Sequence, residues 1–402
     1  MKFRVFASLL LLAALLCCIA CSNNINTATI SVGNLFVATA GNTSVQAYGI
    51  TLSSGALSTD GQGIGTGTGT GSSPTAMAIS PDATTLVVAN STCNNATSGC
   101  LTTYTINGDG TLTAVTGTTA TGESPVAVTF NPAGTFLFVT NQGNSVTQSS
   151  SSISVFSVNG TTLTAVAGSP FSTVTPGVTT PTLPSAVAVS LSGNFLYVAN
   201  NMTNTVSVFN IASSGALTQS TFGPYNVGTN PSALGLTTTG SFIYVANFND
   251  NNVSAFGVCD KVTTTCSNPS APDGSLTAVT GSPFSAGIGP TAITTDAAGS
   301  FLYVADKSSN QISQFRISSG TGSLSALTPA SVSTGTTPFG FAVRLGTTTI
   351  TATGGTTEYL YVTNNGSTSV STFSFDSTAG ILGILGQPIT TISGNPTAVV
   401  AR

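Results

Sequence analysis

Hydrophobic and polar positions along this chain follow one short rhythm, repeated many times. Leu196-Tyr197-Val198-Ala199-Asn200 is a run of strand-favouring residues that stops at an Asn, a turn former. The same five-residue word starts at Leu35, Leu86, Leu137, Ile243, Leu302 and Leu360, with successive starts separated by 51, 51, 59, 47, 59 and 58 residues. Ahead of it comes a strictly alternating segment opened by proline, such as Pro184-Ser185-Ala186-Val187-Ala188-Val189. Equivalents begin at Pro74, Pro125, Pro231, Pro290, Pro338 and Pro396. Alternation at period two predicts a strand with one small-residue face and one larger apolar face. A third strand follows each word and closes on an aromatic: Tyr48, Tyr104, Phe156, Phe209, Phe256, Phe315 and Phe373. A weaker fourth strand follows a glycine turn, as in Leu163-Thr164-Ala165-Val166. Asp109-Gly110 and Asp273-Gly274 read as hairpin turns. Repetition of such units predicts an all-β fold, a seven-bladed β-propeller of four-stranded antiparallel blades.

The two ends of the pattern fit together. No proline-led strand precedes Leu35, and one is left over at the other end, Asn395 to Arg402. The C-terminal strand is therefore expected to pair into the first blade and close the ring over residues 33–402, leaving no open edge there. Gly61 to Gly71 reads as a flexible Gly/Thr connection, since no Gly-Lys-Ser/Thr follows to make it a phosphate loop.

Tyr361-Val362-Thr363-Asn364 is the literal word of the YVTN-repeat propellers. Together with the Pro-x-Ala strand and Leu-Tyr-Val-Ala-Asn, it makes residues 33–402 resemble the lactonase-type, 6-phosphogluconolactonase-like seven-bladed propellers. That resemblance implies the fold and, as an activity, lactone hydrolysis. Lactonase-type enzymes generally rely on charged and His side chains at the channel mouth, and no motif here lets such positions be carried over.

Composition narrows the chemistry. Charged residues make up 4% of the chain while hydrophobic residues make up 40%, and both His and Trp are absent. Without His, the commonest general base and metal ligand is missing. The scarcity of Lys and Arg argues against a nucleic-acid partner. Lys2, Arg4 and the apolar stretch Val5 to Ala20 have the layout of an export signal over residues 1–20. It ends Cys18-Ile19-Ala20-Cys21, similar to a lipoprotein signal with Cys21 as the lipidated residue. Residues 21–32 then form a polar tether, and the membrane is met only through the lipid. The expected location is the cell envelope, on the periplasmic or surface side, or else outside the cell. Cys93/Cys100 and Cys259/Cys266 are expected to form two local disulfides, as suits an exported chain.

Lactone opening needs an activated water and a group that stabilises the oxyanion. Glu123, Asp250 and Asp306, with Lys307, fall in loops at one face, Glu123 just before Ser124-Pro125. Asp296, Arg344 and Arg402 share one register position, the sixth after the strand-one proline, in blades that become neighbours when the ring closes. They are expected either to form ion bridges pinning the last strand or to make an anion site at the other mouth. The turn Asn247 to Asn252 has oxygens for Ca²⁺ but lacks the acidic ligand count, so no cofactor is expected. Two readings of function follow. The preferred one is a monomeric binding or scaffold module for a protein, glycan or small molecule, and the alternative is a lactone hydrolase.

Overall fold

The computed structural model describes residues 33–40, 44–59, 64–65, 73–93, 98–143, 151–174, 180–263, 266, 270–346, 355–390 and 394–402. The signal, Cys21, the tether and most of the Gly/Thr connection lie outside the described residues. Seven antiparallel sheets are arranged as the repeat predicts. In the fourth blade the order is Pro184–Val189, Phe195–Asn200, Thr205–Ile211 and Leu217–Gln219, from the channel outward. In six blades a further two-residue strand, such as Tyr225–Asn226, pairs with the third strand beside the outer one. In the sixth blade the outer strand is a single piece, Leu324–Ser333. No helix among the described residues is long and apolar enough to cross a membrane.

The ring closes as expected. Asn395–Ala401 pairs antiparallel with Gly33–Ala40, with Leu35 opposite Ala401 and Ala38 opposite Ala398. The last strand is thereby the inner strand of the first blade.

The core sits between blades rather than within any one of them. A central strand such as Phe195–Asn200 is buried on both faces, because a neighbouring sheet packs on each side. One cluster joins Phe195, Tyr197, Val206 and Val208 of the fourth blade to Ile243, Val245 and Phe256 of the fifth. Another joins Phe301, Tyr303 and Ile312 of the sixth to Leu360, Val362 and Phe373 of the seventh. Each fully buried aliphatic or aromatic side chain contributes roughly 1.5–3 kcal/mol to folding. The aromatics closing the third strands, from Tyr48 to Phe373, all lie in this core. Both disulfides form, Cys93–Cys100 and Cys259–Cys266.

Candidate functional site

The channel opens at the end where the seven inner strands begin. Most of the turns delivering a strand to that mouth hold a residue in the left-handed region just before the proline: Ser124 (φ 51°), Leu183 (49°), Asn230 (60°), Gly289 (69°) and Thr337 (52°). Such backbone is costly for non-glycine residues and persists only where the surroundings enforce it. The preceding blade supplies the restraint. Asn204 Oδ1 accepts from Asn230 N at 2.9 Å, Asn251 Oδ1 from Gly289 N at 2.9 Å, and Asn310 Oδ1 from Thr337 N at 2.8 Å.

Inside this rim lies a chamber of about 540 Å³, within the roughly 300–1,000 Å³ usual for small-molecule sites. All seven blades line it. The residue after each strand-one proline faces it, and in five blades this is a hydroxyl: Thr75, Ser185, Ser232, Thr291 and Thr397. Four of these reach the next blade. Thr75, Ser185 and Ser232 donate at 2.6 Å to the carbonyls of Pro125, Pro231 and Pro290, and Thr291 donates at 3.1 Å to that of Pro338. The two exceptions are Val126 and Phe339, which with Phe341, Met77 and Val399 make the remaining arc apolar.

Of the residues singled out in the sequence, Glu123, Asp250, Asp306 and Lys307 fall at this mouth. Glu123 is half-buried, and its carbonyl accepts from Gly143 N, next to the chamber residue Gln142. The Lys307 ammonium lies 5.8 Å from the centroid of the Phe339 ring, itself part of the chamber wall. Asp250 is exposed and accepts from Thr229 N at 2.7 Å. Asp306 is fully buried and accepts from Ser313 Oγ at 2.7 Å. Burial pushes its carboxyl up to about 6, and its bonds to Ser313 and Gly287 offset only part of that rise. In the Asn247 to Asn252 turn, the Asn251 and Asp250 oxygens and the Asn252 Oδ1 are engaged by the protein's own N–H groups. Among the described residues no group of three or more Asp, Glu, Cys or His side chains stands together as a metal site.

At the opposite end, Asp296, Arg344 and Arg402 each have separate surroundings. Asp296 Oδ1 accepts from Ser300 N and Phe301 N at 2.6 and 2.7 Å. It caps its hairpin as Ser190 and Thr237 cap theirs, through Phe195 N and Phe242 N. Arg402 donates to the carbonyls of Ala83 and Asn107 in the second blade, pinning the closing strand there, and its charge also acts on the Asp109 carboxylate of that blade. Arg344 Nε lies buried beside Gly33, without a hydrogen-bond partner. The neighbour that Asp296 does meet is Glu358, buried in the next blade and accepting from Ala297 N at 3.0 Å. Desolvation raises the pKa of both carboxyls, and the Asp296 charge raises that of Glu358 further.

Sequence reasoning missed Glu358 and Phe339. Nothing marked Glu358, since it precedes the repeated word at a position outside the pattern. For Phe339 a signal exists that could have found it, a bulky residue where five of seven units carry Ser or Thr.

A family model described as "Lactonase, 7-bladed beta-propeller" matches residues 34–162, 145–272 and 274–401. A search of curated proteins gives no match. Among solved structures, a periplasmic gluconolactonase from Pseudomonas aeruginosa superposes with a TM-score of 0.72 at 21% identity, covering 92% of this chain and 98% of that one. A Bacteroides fragilis protein described as a candidate 6-phosphogluconolactonase gives 0.71 at 20% identity, over 94% and 99%. Kuenenia stuttgartiensis hydrazine synthase gives 0.52 at 16%, over 81% and 89%. At such identities the likeness speaks to fold, which hosts more than one chemistry.

Proposed function

The chain belongs to the seven-bladed β-propeller lactonase family, and from that membership we propose that it is an exported lactone hydrolase working in the mouth chamber. The observation that carries the reading is the chamber itself, of small-molecule size and walled by all seven blades, with Lys307 over its Phe339 wall and the Glu123 carbonyl bonded to Gly143, next to its Gln142 wall. Family membership thus favours hydrolysis over the scaffold role that composition alone suggests. Export is supported by the two disulfides, by the signal-like first twenty residues and by likeness to a periplasmic protein. Cys21 lipidation would anchor the propeller at the envelope, and the tether would hold the ring clear of the membrane.

In this mechanism Glu123 takes the proton of the attacking water, and Lys307 stabilises the negative charge developing on the carbonyl oxygen. General-base catalysis is worth roughly 10²–10⁴-fold, and one oxyanion donor roughly 10²–10³-fold. Steady-state hydrolysis of a lactone panel by the purified full chain, corrected for spontaneous opening, is the test. Glu123→Gln and Lys307→Met are each expected to lower kcat by about 100-fold or more. Unchanged rates in both variants would remove these residues from the mechanism. A second reading, a binding module, is favoured by the absence of titratable side chains among the residues lining the chamber. It predicts that lactones are retained without being opened.

A further inference from the structure

The polar side chains lining the chamber differ in which hydrogens they still hold free. Thr75, Ser185, Ser232 and Thr291 have given their single hydroxyl hydrogen to backbone carbonyls of the next blade. Thr397 directs its own to the Ala38 carbonyl at 3.4 Å. The Asn201 amide is taken by Asn230 Oδ1 and, at 3.5 Å, by the Pro231 carbonyl. Among the described residues, two side-chain donors remain that no protein group accepts from: the Ser73 hydroxyl on the second blade and the Gln142 amide on the third. Gln142 holds the first position after the repeated word, where blades two and four to seven carry Ser91, Asn201, Phe248, Lys307 and Asn365. Ser91 Oγ is spent on the Ser73 carbonyl at 3.3 Å and Asn365 Nδ2 on that of Pro396 at 3.1 Å. Asn201 finds its acceptor on the residue before Pro231. In the next blade from Gln142 that position, before Pro184, is Leu183, which offers no side-chain acceptor. The backbone fixes where the free amide stands. Gln142 N donates to the Ser124 carbonyl and Gly143 N to that of Glu123, both at 3.0 Å, so Gln142 and Glu123 lie one residue apart across the same hydrogen-bonded pair. Lys307, on the sixth blade, faces them from the far side of the ring.

We propose that the Gln142 side-chain amide donates to the carbonyl oxygen of the lactone and holds it beside the water that Glu123 deprotonates. This rests on the hydrolase reading and adds a catalytic residue to it. Attack on a carbonyl needs a base and an oxyanion donor that both come within about 3 Å of the reacting atoms, a demand that two side chains of one blade can meet together. Lys307 acts from across the chamber by charge. In the step itself, Glu123 takes a proton from water while the remaining hydroxide oxygen bonds to the carbonyl carbon. The C=O electron pair moves onto the oxygen, where the Gln142 N–H groups meet it. That pair then returns as the ring C–O bond breaks, and the leaving ring oxygen takes the proton back from Glu123. An amide does not titrate, so Gln142 contributes to the rate and not to its dependence on pH.

Steady-state hydrolysis of glucono-δ-lactone by the full chain tests the assignment, each variant being checked for an unchanged fold by circular dichroism. Gln142→Met keeps the length of the side chain and removes its donors. Its kcat should fall about 100-fold or more while KM changes by less than about threefold, and the pH profile should keep its shape. Asn365→Ala, at the equivalent position with its amide already committed, should stay within about threefold of the wild-type kcat. An unchanged kcat in Gln142→Met, or an equal fall in Asn365→Ala, would overturn the proposal. A second measurement needs no turnover. In protein labelled with nitrogen-15 at glutamine, the side-chain NMR signal that is missing from Gln142→Met should shift when δ-valerolactam, a cyclic carbonyl compound that resists hydrolysis, is added. Absence of that shift would also overturn the proposal. If the wild type opens no lactone, the hydrolase reading fails by itself, and the signal alone decides whether the amide meets a ligand carbonyl.

Discussion

Asp306 occupies the place that Asn90, Asn141, Asn200, Asn247 and Asn364 hold in other blades, at the buried end of the second strand. Those amides donate to hydroxyls of the third strand, for example Asn200 to Ser207 at 2.8 Å and Asn364 to Ser371 at 2.9 Å. Asp306 instead accepts from Ser313, with its other oxygen buried and unbonded. Its carboxyl is raised from 3.8 to about 6 in the folded state. Between those values the folded protein binds more protons than the unfolded chain, so stability falls as pH rises through the window. Above it the full cost of a buried charge is present, on the order of 2–3 kcal/mol. Asp306→Asn should therefore raise the melting temperature at pH 8 and change it little at pH 4. Equal gains at both pH values would show that the charge is not responsible. The sequence places Asp306 at a loop face by its position in the repeat. Burial comes from the neighbouring blade and is invisible to the repeat itself, although five asparagines in the same slot already mark it as structural.

Between elements, one bond recurs that no local pattern reveals. The tyrosine of the second-strand word donates to the outer hairpin of the next blade: Tyr197 to Gly274, Tyr244 to Gly322, Tyr303 to Gly380 and Tyr361 to Gly55, at 2.7–3.2 Å. Phe36, Val87 and Phe138 stand at that position in the first three blades, which lack this hydroxyl. Tyr303→Phe should keep the packing and lose the bond, at a cost of about 1–2 kcal/mol in chemical denaturation. The accepting turn is equally constrained. Gly322 has φ +71°, and a Cβ there would come within 2.3 Å of the Phe242 ring. Gly322→Ala combines a strained backbone with a clash, so a loss of about 3 kcal/mol or more is expected in the same assay. A loss below about 1 kcal/mol would mean that the hairpin yields easily. Each strand was legible from its alternation, but these contacts join residues 77, 78, 77 and 306 positions apart. Each partner alone resembles an ordinary core aromatic or turn glycine.

For the whole molecule, closure was legible because the unpaired pieces at the two ends are complementary. Asn395–Ala401 supplies the inner strand of the first blade, and Arg402 anchors to the second. Removing residues 395–402 exposes the edge of Gly33–Ala40 and part of two interblade cores, which include Ala398 and Val399. The truncated chain should lose its cooperative thermal transition and associate on size-exclusion chromatography, whereas an unchanged transition would show that the ring does not depend on its closing strand. The site was less legible than the ring, because a chamber walled by pieces of every blade gathers residues far apart in the chain. The central claim is that this chamber is where a lactone is opened. Thr397 lines it and makes only a long contact, 3.4 Å to the Ala38 carbonyl, so a large residue there blocks the space at small cost to the fold. The decisive measurement is the saturable hydrolysis of glucono-δ-lactone by the wild type and by Thr397→Trp, at equal folded concentration. The account predicts a wild-type rate above spontaneous opening that the tryptophan abolishes. A wild-type rate no greater than spontaneous opening, or one that survives the tryptophan, would contradict it.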